Sequence, residues 1–168
     1  TITNINANVY SKALGVDSTG NIFVLTQYTE APNLWGRIFK YNSAGALLTS
    51  PIVSGTRSAT YDLVIDSNNN VTYSIHNNVA YTNANSNGGG YVIRMNNALT
   101  SYLWIQKIEP GTTSRVSFPH ALALDSSNNV YVTGYTSGAY SGFTNKGRYD
   151  IFVLKLASAT GNRLWTRQ

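Results

Sequence analysis

The stretch DSSNNVYVTG, residues 125–134, has two near copies earlier in the chain, DSTGNIFVLT from Asp17 and DSNNNVTYSI from Asp66. Each runs Asp-Ser-x-(Gly/Asn)-Asn straight into alternating apolar residues. An Asp in this position accepts hydrogen bonds from backbone amides two or three residues on, and Gly20, Asn69 and Asn128 stand where a left-handed backbone costs least. That is the chemistry of a tight hairpin joining two strands.

Working outward from the three aspartates, each is preceded by an apolar strand-like run: Ala13-Leu14-Gly15-Val16, Asp62-Leu63-Val64-Ile65 and Ala121-Leu122-Ala123-Leu124. Downstream, Arg37-Ile38-Phe39-Lys40, Tyr91-Val92-Ile93-Arg94 and Phe152-Val153-Leu154-Lys155 each close on a basic residue, and Leu47-Leu48, Leu103-Trp104 and Leu164-Trp165 follow. Each unit thus holds four short segments, A to D, rich in Val, Ile, Tyr and Phe and separated by Gly, Asn, Ser and Thr. Asp66 follows Asp17 by 49 residues and Asp125 follows Asp66 by 59. A four-stranded antiparallel unit repeating in tandem at this length is the signature of a β-propeller blade. The expected fold is all-β: three four-stranded blades in one propeller segment, residues 1–168, with blades at about 9–55, 56–110 and 111–168.

Composition agrees with one packed domain. Apolar residues make up 42% of the 168, which is enough for a core and argues against wholesale disorder. Twelve Lys and Arg against seven Asp and Glu give +5, but the basic residues are scattered, so no nucleic-acid partner is expected. No apolar run approaches the ~20 residues of a membrane span. The absence of cysteine removes disulfides, zinc–thiolate sites and cysteine nucleophiles. The chain opens on Thr1 rather than Met, which suggests processing or excision from something longer.

The run ALALDSSNNVYVTGYTS from Ala121, with DIFVLK from Asp150, Gly161 and Trp165, resembles the SBBP β-propeller repeat, common in bacterial and archaeal surface or secreted proteins. The first unit departs from it with Leu48 in place of the Trp, and the second carries Arg94 in place of the Lys. The resemblance implies architecture and an extracellular or cell-surface location, and it brings no catalytic motif. Propellers close with about four to eight blades, so three require further blades, from a second copy, another protein or a longer chain.

Blade topology places the D-to-A linkers and B-to-C loops on one face and the Asp-Ser turns on the other. The B-to-C loops are expected at residues 27–36, 76–90 and 135–150. Long loops on a rigid scaffold are where binding usually resides. Tyr28, Trp35, Tyr81, Asn83, Asn85, Tyr140, Phe143, Lys146 and Arg148 would suit stacking on a sugar ring or anchoring a protein, although the same aromatics can simply cap adjacent blades. Lys12, Tyr61 and His120 are equivalent positions on the innermost strands and, with Asp62, are expected to ring the channel entrance.

Several chemical readings fall away. His76 and His120 lack a third ligand for a metal site, and Asp66-x-Asn68-x-Asn70 resembles the start of a calcium loop but lacks its later Glu. Neither metal nor cofactor is expected. Of the acids outside the turns, Glu30, Asp62, Glu109 and Asp150, no close pair suggests a glycosidase, and there is no nucleophile elbow or phosphate loop. The expectation is a non-enzymatic structural or interaction module that binds a protein partner through its B-to-C loops. A carbohydrate-binding propeller is the alternative.

Overall fold

The computed structural model describes residues 8–30, 33–55, 57–77, 88–111 and 116–168. Twelve strands form three separate four-stranded sheets, each an antiparallel meander. The first holds β1 (Asn8–Val16), β2 (Ile22–Glu30), β3 (Asn33–Tyr41) and β4 (Leu47–Thr49); the second β5 (Ser58–Ile65), β6 (Val71–Asn77), β7 (Gly89–Met95) and β8 (Tyr102–Ile108); the third β9 (Ser117–Leu124), β10 (Val130–Thr136), β11 (Asp150–Leu156) and β12 (Arg163–Arg167). The first strands of successive sheets lie against one another, β1 on β5 and β5 on β9, as the inner strands of propeller blades do.

The repeated Asp-Ser phrase forms the turn between the first two strands of every blade. Oδ1 of Asp17, Asp66 and Asp125 each accepts two amide hydrogen bonds at 2.8–3.0 Å, from Thr19 and Asn21, Asn68 and Asn70, and Ser127 and Asn129. Gly20, Asn69 and Asn128 adopt φ of 82°, 64° and 60°, the left-handed region these residue types tolerate. In Asp66 the second oxygen takes the Asn70 amide group and lies 3.6 Å from Arg94, so protein donors occupy the carboxylate that resembled a calcium ligand.

Two cores fill the gaps between blades. Phe23, Leu25 and Ile38 of blade 1 meet Leu63, Tyr73, Ile75 and Ile93 of blade 2, and Val92, Trp104 and Ile108 of blade 2 meet Leu122, Val132, Phe152 and Leu154 of blade 3. At about 25 cal/mol per Å² of apolar area buried, these face-to-face layers are the main stabilising term. A buried Gln27 crosses the first seam, its Nε2 donating to the Ser58 carbonyl at 2.9 Å and its Oε1 accepting from the Thr60 amide at 2.7 Å.

Two sequence expectations are corrected. Residues 27–36 are not a loop: β2 runs to Glu30, β3 starts at Asn33, and Tyr28 pairs directly with Trp35 across the hairpin. Stacking of the two rings extends the ladder to its tip. Nor does Leu48 replace the Trp of the other blades. Pairing sets Trp104 opposite Arg94 and Trp165 opposite Lys155, but Thr49 opposite Lys40, because the turn before β4 is shorter.

Candidate functional site

Lys12, Tyr61 and His120 share a backbone feature that the sequence conceals. Each lies in an irregularity of its inner strand, between Ser11 and Ala13, between Thr60 and Leu63, and between Pro119 and Ala121, where the pairing register shifts. A bulge leaves a residue outside the ladder and re-aims its side chain. In blade 3, Gly134 is required opposite it: an added Cβ would lie 1.8 Å from the Phe118 carbonyl oxygen.

The bulges bring the three residues together. Tyr61 stacks on His120 with ring centroids 4.3 Å apart. Burial, helped by the neighbouring Lys12 charge, pushes the His120 imidazole below its usual value, and burial pushes the Tyr61 phenol up to about 12. Asp62 serves a different purpose. Its Oδ2 accepts the Leu122 amide of the next blade at 2.7 Å and its Oδ1 the Leu63 amide, so it clamps a seam.

From His120 a row of aromatic rings runs toward the B-to-C loop face. Tyr135 lies 5.1 Å from His120 and 4.7 Å from Phe118, Phe118 stacks on His76 at 4.1 Å, and Tyr149 meets Tyr135 edge-on at 5.2 Å. His76 is buried, its Nε2 has no hydrogen-bond partner among the described residues, and burial holds its pKa down at about 4. Tyr149 is 48% exposed at the loop end of the row, with the Arg148 guanidinium 5.7 Å from its ring. Phe118, Tyr135 and Tyr149 were not among the expected binding residues. The signal for them was position: Tyr135 and Tyr149 lie within the expected loop 135–150, and Phe118 stands two residues before His120.

The loop residues divide. Tyr28 is fully buried and stacked 4.3 Å from Trp35, and Arg37 lies over both rings, so this group caps blade 1. Tyr140 is buried too, its hydroxyl 2.8 Å from the Ser117 hydroxyl and Arg163 over its ring, and Phe143 packs against the second core. Lys146 and Arg148 are exposed. Asp150 and Gln168 brace this loop: Asp150 Oδ2 accepts the Lys146 amide at 2.8 Å, and Gln168 Oε1 accepts the Tyr140 amide at 2.8 Å. Tyr81, Asn83 and Asn85 lie outside the described residues. Among the described residues no three His, Asp or Glu side chains gather as metal ligands, and no helix is long and apolar enough to cross a membrane. The site therefore offers ring faces, cationic groups and hydrogen-bonding edges.

Comparison with known proteins bears on architecture. Residues 103–140, from β8 through the next linker into the loop after β10, match the SBBP family, a beta-propeller repeat. No curated protein matches the sequence. Among solved structures, a mutant of Synechocystis apocarotenoid oxygenase is similar with a TM-score of 0.53 at 12% identity, over 96% of this chain. The chain spans 40% of that protein's length, and at this identity the likeness is one of fold alone. With its three Asp-turn sheets packed face to face, the chain is a segment of three four-stranded β-propeller blades, of which residues 103–140 are similar to the SBBP repeat.

Proposed function

We propose that this propeller segment is a non-enzymatic interaction module of an extracellular or cell-surface assembly, and that it holds a protein partner through its B-to-C loop face. The observation that carries this reading is the aromatic row ending at the exposed Tyr149, bordered by Arg148 and, at its inner end, by Lys12. Tyr and Arg are the residue types enriched at interface hot spots, and rings already fixed by their neighbours lose little entropy on binding. The cationic border favours an acidic, aromatic-bearing partner surface. The location is supported by the resemblance to repeats of surface and secreted proteins.

A photo-crosslinking amino acid at position 149, exposed to the surface proteins of the source cells, tests this. A discrete protein adduct is expected at position 149, lost in Tyr135→Ala and absent when the crosslinker sits at position 103 on β8. Equal labelling at both positions, or none, would count against the reading. A second reading, sugar binding, is favoured by the exposed Tyr149 ring; saturable glycan-array binding that Tyr149→Ala removes would replace the protein partner with a glycan.

A further inference from the structure

The two seams inside the molecule follow a rule that the molecule's outer flanks continue. At each seam the basic residue ending the third strand of one blade reaches the turn between the third and fourth strands of the next: Lys40 Nζ donates to the Asn97 carbonyl at 2.9 Å, and Arg94 Nη1 to the Ser158 carbonyl at 2.8 Å. Beside that contact, at the second seam, the residue opposite the base packs on the left-handed residue of the next turn, and the two seams carry different residue types at these positions. Thr49 of blade 1 precedes Leu99 of blade 2, which has φ 58°, whereas Trp104 of blade 2 precedes Gly161 of blade 3, which has φ 71°. Trp104 lies over Gly161 so closely that an added Cβ would sit 2.6 Å from the indole, and Trp104 Nε1 donates to the Ser158 carbonyl. A small residue is followed by a large one, and a large one by glycine.

Blade 3 presents the second of these halves outward. Trp165 lies opposite Lys155 in register and remains 36% exposed, and Lys155 pairs within its own blade with Asp125 at 2.8 Å. At the other end of the chain, the turn before β4 carries Ser43 where the inner seams have Asn97 and Ser158, and Gly45 at φ 82° with nothing within 4 Å of an added Cβ. The sheet faces match as well. Gly15 of blade 1 leaves the space that Leu63 and Ile65 of blade 2 fill. Blade 3 has the small Ala121 and Ala123 lining an apolar groove of about 290 Å³ with Tyr131 and Val153, and blade 1 exposes Leu14 and Val16, the counterparts of Leu63 and Ile65.

We propose that the outer flank of blade 3 docks head-to-tail on blade 1 of a second copy of this chain, with Trp165 over Gly45, Lys155 on the Ser43 carbonyl, and Leu14 and Val16 in the alanine-lined groove. Two such seams close two copies into a six-bladed ring, within the four to eight blades at which propellers close. This seam differs from the inner two at two points. Gly20 lacks the amide with which Asn69 and Asn128 accept from Ser18 and Ser67, and Ile151, 77% exposed, replaces Gly36 and Gly90 and makes the seam wider near the loop face. Ile151 lies opposite Tyr135 in register, so the flank borders the aromatic row; the association is tested at Trp165 and Gly45 and the loop-face reading at Tyr149, so that failure of one is distinguishable from failure of the other.

Sedimentation equilibrium of the 168-residue chain over about 1–100 µM tests the proposal. A monomer–dimer equilibrium is expected, weakened at least ~30-fold by Trp165→Ala, since buried interface tryptophans commonly carry that much. Gly45→Leu should likewise give monomer. Combining Gly45→Leu with Trp165→Thr sets at this seam the residue types that the first inner seam carries at the equivalent positions and should restore the dimer, which a misfolded single variant would not allow. A chain monomeric at 100 µM overturns the proposal and assigns the flanks to blades of another polypeptide or of a longer chain. A dimer indifferent to both single substitutions overturns it too.

Discussion

Replacing Gly161 with alanine should destabilise the second seam more than its single methyl suggests. The new Cβ would lie 2.6 and 2.7 Å from two indole atoms of Trp104, nearer than real Cβ contacts come. The indole has little freedom to withdraw, because its Nε1 donates to the Ser158 carbonyl at 2.9 Å and the Arg94 guanidinium lies 5.2 Å from the ring. Two costs combine. An L-residue at φ 71° costs about 1 kcal/mol, a strain that Leu99 already carries at 58°, and overpacking of a filled interface costs about 1–3 kcal/mol. The sum, roughly 2–4 kcal/mol, is a large part of a typical stability of about 5–15 kcal/mol and corresponds to a melting shift of about 4–16 °C. Gly45→Ala is the control, since φ is 82° there and nothing stands within 4 Å; it should cost only the backbone term, about 1 kcal/mol. Urea unfolding of both variants, dilute enough that the chain is monomeric, separates the terms. Equal losses at the two glycines would refute the steric argument.

Gln27→Leu should cost about 2–5 kcal/mol in the same assay, because the Ser58 carbonyl and the Thr60 amide are left buried without their cross-seam partner. Asp66→Ala removes three turn hydrogen bonds and the carboxylate beside the buried Arg94, so its melting temperature should fall further than that of Asp125→Ala, whose partner Lys155 is more exposed; a reversed order would show that the turns alone set the cost. Chelator should leave the melting temperature unchanged, since protein donors occupy the Asp66 oxygens. Stability should also fall in two stages with acid. Folded His76 stays neutral to about pH 4 while the unfolded imidazole protonates near 6.5, so the unfolded chain gains protons first and stability declines as pH drops through that window. Burial alone would raise the Asp17 pKa, but hydrogen bonds from Thr19, Asn21 and Asn97 outweigh it and hold the carboxylate well below 3.8, so its contribution is lost below about pH 4. His76→Gln should flatten the upper stage, leaving the part that His120 contributes with the same sign; an unchanged upper stage would remove His76 from the account.

What the sequence determined by itself was the architecture, because the signals that specify it are local. An Asp that accepts nearby turn amides, expected two or three residues on and found two and four on, a left-handed Gly or Asn between them, and alternating residues on either side act within a few positions, so each blade and its period could be read from the string. The tertiary structure decided what those blades present. Tyr28 and Tyr140, read as binding rings or as caps between blades, are buried by Trp35 and Arg37 and by Ser117 and Arg163, partners set by hairpin register and by distant strands. Lys12, Tyr61 and His120 were aligned correctly as equivalents, but they meet because a bulge frees each from its ladder, and one irregular residue leaves no periodic trace in a strand that still alternates. The fit of Trp104 to Gly161 joins residues 57 apart whose types are ordinary where they stand; only the packing of one blade on the next makes the glycine a necessity.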